Sequence, residues 1–340
     1  MNLRIFLVGI MLFTGCGEAR INQKKKHFLH KGNLSYNEKL YPEAIRYYLE
    51  AIQLDSTFAQ AYNNLGIVYY KTGKYNLAID AYANCINYDP EFLDAYFNRN
   101  NAYFETGNYQ QALNDLNIIK DRYASSATIC FSKGLSFFGK KNYDSAEYVF
   151  QEALSLDSSN IEVYLNLATT KFYKKKYDES RNLVETALQM DQRSPDAYNL
   201  LGIISTELKE YDQALNYFNR GLSLESNNAF MLNNRGFVFL KLDEMEKARN
   251  DINESIVINP DNPWAYRNKG IYYYISGDFE NAKRLLNQSI QMDGSISLVH
   301  YYLGSVLIET NEIVLACKEL NKSVEMGEEL GVKAYQQYCR

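Results

Sequence analysis

One pattern returns every 34 residues along this chain, and a period of that length admits few folds. Residues 59–92, AQAYNNLGIVYYKTGKYNLAIDAYANCINYDPEF, show the unit. Tyr62, Leu65 and Tyr69, then Tyr75, Ile79 and Tyr82, recur every three or four residues and line one face of each of two helices. Gly66 and Ala78 are the small residues expected where two antiparallel helices approach most closely. Gly73 breaks the chain between them. Asp89-Pro90 ends the unit, because the residue before a proline is pushed out of helical geometry.

Units of this kind begin at Lys25, Ala59, Leu93, Ala127, Ile161, Pro195, Ala229, Pro263 and Ser297, without insertion or deletion. The eighth position is glycine at Gly32, Gly66, Gly134, Gly202, Gly236, Gly270 and Gly304, with Asn100 and Ala168 departing. The twentieth is alanine in every unit except the one holding Ser180. The seventeenth is aromatic from Tyr41 to Tyr211 and at Phe279, but Met245 and Ile313 in the other two. Chance does not keep three columns in phase over this distance. The pattern resembles the tetratricopeptide repeat and covers residues 25–330.

The resemblance implies an all-α fold: an α-solenoid, a right-handed superhelix of nine helix-turn-helix units. Their boundaries fall at 25–58, 59–92, 93–126, 127–160, 161–194, 195–228, 229–262, 263–296 and 297–330. Such an array buries its core between neighbouring repeats and grows as one domain. Residues 331–340 are expected to cap it, with Val332, Tyr335 and Tyr338 inward and Lys333, Gln336, Gln337 and Arg340 toward water. The 30 tyrosines fall largely at the fourth, eleventh, twelfth and seventeenth positions, where wide apolar rings with a polar tip are expected mostly in the core.

The first residues lie outside the repeat. Arg4 precedes an apolar run from Ile5 to Phe13, too short to span a bilayer, and Thr14-Gly15-Cys16 follows. This resembles the signal peptide and lipobox of bacterial lipoproteins, with Phe13 where leucine is usual. The resemblance implies removal of residues 1–15, lipid on Cys16, and a tether over 17–24 that reaches about 28 Å when extended. Removing 1–15 takes away Arg4 and no acid, so the net charge moves from −5 to −6. A mildly acidic protein lacks the basic surface that nucleic-acid binding requires.

Cys85, Cys130, Cys317 and Cys339 have neither disulfide-framework nor zinc-site spacing and are expected as buried small hydrophobes. His27 and His30 stand one helical turn apart with no second ligand pair, so no metal is expected. The sequence offers no phosphate-binding glycine loop, nucleophile elbow or helical zinc motif, and no cofactor is expected. The array leaves no room for a catalytic domain. The reading is therefore not an enzyme but a surface.

In tetratricopeptide proteins that surface is the groove lined by first helices, reached from the second, fifth, sixth, ninth, twelfth and thirteenth positions. The resemblance assigns Asn64, Asn98, Asn166, Asn234 and Asn268 to an asparagine ladder that holds a peptide backbone, since an amide both donates and accepts. It assigns Tyr70, Phe104, Phe138, Phe172 and Tyr274 to an aromatic stripe that also serves packing. Asp94, Glu105, Glu162, Asp196 and Glu207 add acids along units three to six, which with the aromatics suit a basic partner segment. Lys26, Lys71, Lys241 and Arg267 lie toward the ends. The dicarboxylate clamp of chaperone-binding relatives is missing. The expected protein is a lipid-anchored scaffold of the bacterial cell envelope, at the outer membrane, that binds other proteins. A glycan-binding protein and a soluble cytoplasmic adaptor are the alternatives.

Overall fold

The computed structural model describes residues 3–120 and 126–339, with side chains from residue 19 onward. Among these residues the secondary structure is entirely helical. The chain divides into two compact units, residues 1–170 and 171–340.

The first unit holds α1 (Leu3–Asn37), α2 (Tyr41–Leu54), α3 (Ala59–Lys71), α4 (Tyr75–Tyr88), α5 (Leu93–Glu105), α6 (Tyr109–Ile119), α7 (Ala127–Gly139), α8 (Tyr143–Leu156) and most of α9 (Ile161–Tyr173). The second holds α10 (Tyr177–Met190), α11 (Pro195–Glu207), α12 (Tyr211–Leu224), α13 (Ala229–Lys241), α14 (Met245–Ile258), α15 (Pro263–Ile275), α16 (Phe279–Met292), α17 (Val299–Glu309), α18 (Ile313–Glu325) and α19 (Glu329–Tyr338). Helices pair as hairpins, α3 with α4 and α11 with α12 for example, and within each unit neighbouring hairpins pack together, as α4 does on α5 and α12 on α13. First helices of successive hairpins also touch one another directly, as α3 and α5 do in the first unit and α13 and α15 in the second.

The hairpin turn has one backbone solution. Lys39, Gly73, Gly107, Lys141, Lys175, Lys209, Asp243, Gly277 and Asn311, all at the fifteenth position, have φ between 58° and 77°. A left-handed residue there lets its own amide and the next close the helix end, as Lys209 N does on Thr206 O (3.1 Å) and Glu210 N on Ser205 O (2.8 Å). Between hairpins, an aspartate caps instead. Asp55, Asp89, Asp157, Asp191 and Asp293 each follow a second helix and accept from the amide two residues on.

The close approach inside a hairpin differs from the expected glycine–alanine contact. The eighth-position glycine lies under the large side chain at position twenty-four: Gly66 under Tyr82, Gly134 under Phe150, Gly202 under Phe218, Gly270 under Leu286. Those rings and chains are fully buried. The twentieth-position alanines are fully buried beside them, and so is Ser180. Two hairpins replace apolar packing at positions seven and twenty-three by a bidentate ion pair. Arg99 donates from Nε and Nη2 to Asp115 at 2.8 and 2.7 Å, and Arg235 donates likewise to Asp251 at 2.7 and 2.8 Å.

Several expectations are corrected. Residues 17–24, expected as a short tether reaching about 28 Å at most, continue α1 as helix and span about 12 Å. Of the described tyrosines, Tyr48, Tyr82, Tyr96, Tyr198 and Tyr302 are buried, Tyr88, Tyr148, Tyr173 and Tyr338 are exposed, and the others are half-buried. Cys317 and Cys339 are not separate hydrophobes but a disulfide, because α19 folds back on α18 and brings the chain end to it. Tyr338 is exposed, and the buried residue of α19 is Gly331, packed on Ser323. Cys85 is buried, and burial raises its thiol pKa to about 12. The side chain of Cys16, the rest of the proposed signal peptide side chains, and Arg340 lie outside the described residues. No helix among the described residues is long and apolar enough to cross a membrane.

Candidate partner-binding face

The asparagines at position six are joined from hairpin to hairpin. Asn98 Nδ2 donates to Asn63 Oδ1 at 3.0 Å, Asn234 to Asn199 Oδ1 at 3.0 Å, and Asn268 to Asn233 Oδ1 at 2.8 Å. Asn64 donates to Asn33 Oδ1 at 2.9 Å. Each bond spans about one repeat in sequence and fastens two neighbouring first helices. Asn166 instead donates to its own helix, at Glu162 O (2.8 Å).

Four of these amides are half-buried, so an edge of each faces solvent. Asn268 differs. It is fully buried, donates to both oxygens of Asn233, and accepts Nε and Nη2 of Arg267. It cannot reach a bound peptide, contrary to its place in the expected ladder. The cause is the arginine beside it, which covers the amide.

The aromatic stripe shares its rings with the hairpin turn. Tyr70 packs on Tyr75, Phe104 on Tyr109, Phe138 on Tyr143 and Phe172 on Tyr177, with centroids 5.4 or 5.5 Å apart, and Tyr274 on Phe279 at 6.2 Å. All five are half-buried, so packing uses one side and the other borders the groove. The acids stand out into solvent. Asp94, Glu105 and Glu162 are exposed in the first unit, Asp196 and Glu207 in the second, and Glu105 accepts from Tyr70 Oη at 3.3 Å. Burial, then the Glu105 charge, raises the Tyr70 phenol to about 12.

The feature least visible in sequence lies on α13, α15 and α17 of the second unit. Arg267 is 5% exposed, its guanidinium 5.1 Å from the Phe237 ring and 4.8 Å from Trp264. Nη1 donates to Ser297 O at 2.9 Å. Lys241 Nζ is 4.9 Å from the same Phe237 ring and donates to Tyr302 Oη at 3.2 Å. Burial pushes Arg267 down to about 10 and lowers Lys241 as well. Arg267 remains a cation at neutral pH. The sequence signal available was only that Arg267 is the one basic residue at position five. Among the described residues no cluster of His, Cys, Asp and Glu could hold a metal.

Five family profiles, described as TPR repeat or tetratricopeptide repeat, match residues 32–73, 59–92, 97–161, 137–204 and 195–228. No curated protein matches the sequence. Among solved structures, the chain is similar to one in the APC/C hetero-tetramer Cut9–Hcn1, with TM-score 0.64 and 17% identity over 88% of this chain. It spans only 59% of that chain. A tetratricopeptide repeat protein from Parabacteroides merdae superposes with TM-score 0.52 and 17% identity, covering 84% of this chain and 99% of its own. PilF of Pseudomonas aeruginosa gives 0.50 and 17%, covering 60% and 93%. At such identity these likenesses speak to the fold alone. With helical hairpins throughout and repeat profiles matching more than half of its residues, the chain belongs to the tetratricopeptide repeat proteins.

Proposed function

We propose that this chain is a non-catalytic scaffold of the bacterial cell envelope, lipid-anchored through Cys16 at the outer membrane, that binds extended partner segments along its first helices. The observation that carries the binding half is the run of exposed acids beside half-buried aromatic rings on those helices, Glu105 next to Phe104 above all. Carboxylates beside ring faces favour arginine and lysine side chains, so the partner segment is basic where it meets Asp94, Glu105 and Glu162.

The envelope half is supported by Thr14-Gly15-Cys16 and by the Cys317–Cys339 disulfide, a bond that persists in oxidising compartments and is rare in the cytosol. Helical continuity adds to it. Arg20, Lys24 and Lys31 recur at helical spacing along α1 with no acid between residues 19 and 31, a face suited to anionic lipid headgroups.

Wild type and Cys16→Ser are expressed in a bacterial host with radiolabelled palmitate; label in wild type alone is expected, and equal label overturns the anchor. In-cell crosslinking with mass spectrometry identifies the partner, whose affinity is then measured against salt. Asp94→Lys with Glu162→Lys is expected to remove most of it, along with its salt dependence. Unchanged affinity moves the site elsewhere, and retention of sugars rather than proteins on arrays replaces the reading with glycan binding.

A further inference from the structure

Arg267 is anomalous. A buried guanidinium ordinarily sits against a carboxylate, because removing its charge from water costs several kcal/mol. Here the acceptors are an amide oxygen, Asn268 Oδ1, and a backbone oxygen, Ser297 O. No described carboxylate lies within ion-pair distance of Arg267, nor of Lys241 beside it. Elsewhere the same fold pairs such charges, as Arg99 with Asp115 and Arg235 with Asp251.

The acids whose fields reach the pair are Glu207 and Glu328. Glu328 is engaged by Leu298 N and Ser323 Oγ, and Glu207 is exposed. Tyr302 Oη accepts from Lys241, and its own proton meets no acceptor among the described residues. Phe237, Trp264 and Tyr302 wall the two cations. The backbone is bent to suit: α17 begins at Val299, two residues after the repeat phase. Leu298 before it has φ +64, a left-handed value rare for leucine, while Ser297 gives its carbonyl to Arg267.

We propose that Lys241, Arg267 and Tyr302 form a carboxylate-binding site in the second unit, occupied by an aspartate or glutamate side chain of the bound partner segment. Lys241, which is exposed, contacts the carboxylate first. Tyr302 Oη–H donates a second bond, and Arg267 supplies the field of an uncompensated charge from below. The rings exclude water and strengthen the pairing. This deepens the scaffold reading and rests on it: it names the acid that a segment must carry where it crosses α13, α15 and α17.

The test is an array of random peptides, acetylated and amidated so that only side-chain carboxylates remain, probed with the mature chain. Retained peptides are expected to be rich in Asp and Glu. Lys241→Glu is expected to weaken them at least about tenfold, Lys241→Ala less, and Lys209→Glu not at all. Thermal melts show that each variant is folded. Retained peptides without acidic preference, or equally tight binding to Lys241→Glu, overturn the carboxylate site and leave the scaffold standing. A parallel array with free carboxyl ends overturns the side-chain assignment if binding is seen only there. Retention of no peptide by wild type overturns the scaffold reading and this site with it.

Discussion

A Cβ on Gly202 would stand 2.4 Å from Cε1 of the fully buried Phe218 ring, so each of these residues sets the size of the other. Alanine normally gains about 1 kcal/mol over glycine within a helix. Here overpacking wins, and Gly202→Ala is expected to destabilise by about 1–3 kcal/mol. In a Phe218→Ala background the same substitution is expected to become neutral or favourable. Denaturant unfolding of the four proteins closes the cycle; an equal cost in both backgrounds would show that the ring is not the obstacle.

Lys209 holds the left-handed turn position with φ +61 and an exposed side chain. Glycine carries no Cβ penalty there, so Lys209→Gly is expected to stabilise by up to about 1 kcal/mol, net of its extra freedom when unfolded. Lys209→Ala keeps the penalty and is expected to be nearly neutral. A rise in melting temperature for the glycine variant alone is the sign to look for.

Arg99 and Asp115 bury their charges together, with side-chain exposures of 16% and 4%. Asp115→Asn leaves the guanidinium without its counter-charge and is expected to cost about 3 kcal/mol. Replacing both, as Arg99→Leu with Asp115→Ala, copies what another hairpin already has at Leu65 and Ala81. That double variant is expected within about 1.5 kcal/mol of wild type, and a loss equal to the single variant's would mean that the pair itself is stabilising.

The Lys25 hydrogen bond, then Thr57, hold the Asp55 carboxyl at about 2, below its ordinary 3.8. A depressed carboxylate contributes its full stability above the unfolded value and loses it as pH falls through the folded one, here from about pH 4 toward pH 2. The pair is near the surface and screened, so the increment is expected below about 1 kcal/mol and smaller in high salt. Urea midpoints of wild type and Asp55→Asn should differ at pH 6 and converge toward pH 2.5. A gap independent of pH would assign the effect to packing.

The Cys317–Cys339 bond closes a loop of 22 residues at the chain end. Loop-closure entropy puts its contribution at about 3 kcal/mol, felt mainly by α19. Cys339→Ser, or reductant, is expected to speed hydrogen exchange in α19 and leave α11 to α14 unchanged. Peptide mapping without reduction should recover the two cysteines linked, and their separate alkylation in the native protein would refute the bond.

What was legible in sequence was what each hairpin decides by itself. Gly66, Ala78 and Tyr82 sit in one unit, their spacing fixes two helix faces, and the asparagine column showed as a repeat. What escaped depends on how one hairpin meets the next. Asn98 and Asn63 are 35 residues apart and bond only once the hairpins are stacked in register. Arg267 looked like any groove cation until the late start of α17 closed Ser297 over it. Cys317 and Cys339 lack a framework spacing because a helix reversal, not a pattern, joins them. Tyrosine content suggested a deeper core than exists, since stacking leaves one edge of many rings open.

The hairpin-to-hairpin asparagine bonds carry a consequence for selectivity. Asn98 spends one amide N–H on Asn63, and Asn234 one on Asn199. Each keeps its second N–H and its Oδ1 for a bound main chain, held in place by the first bond. A surface built this way offers the same contacts to any main chain, whatever its sequence. Discrimination between one bound protein and another then falls to the partner's side chains, and new binding preferences can arise by changing exposed positions such as Glu105 or Lys241 while the spacing between hairpins stays as the asparagines set it.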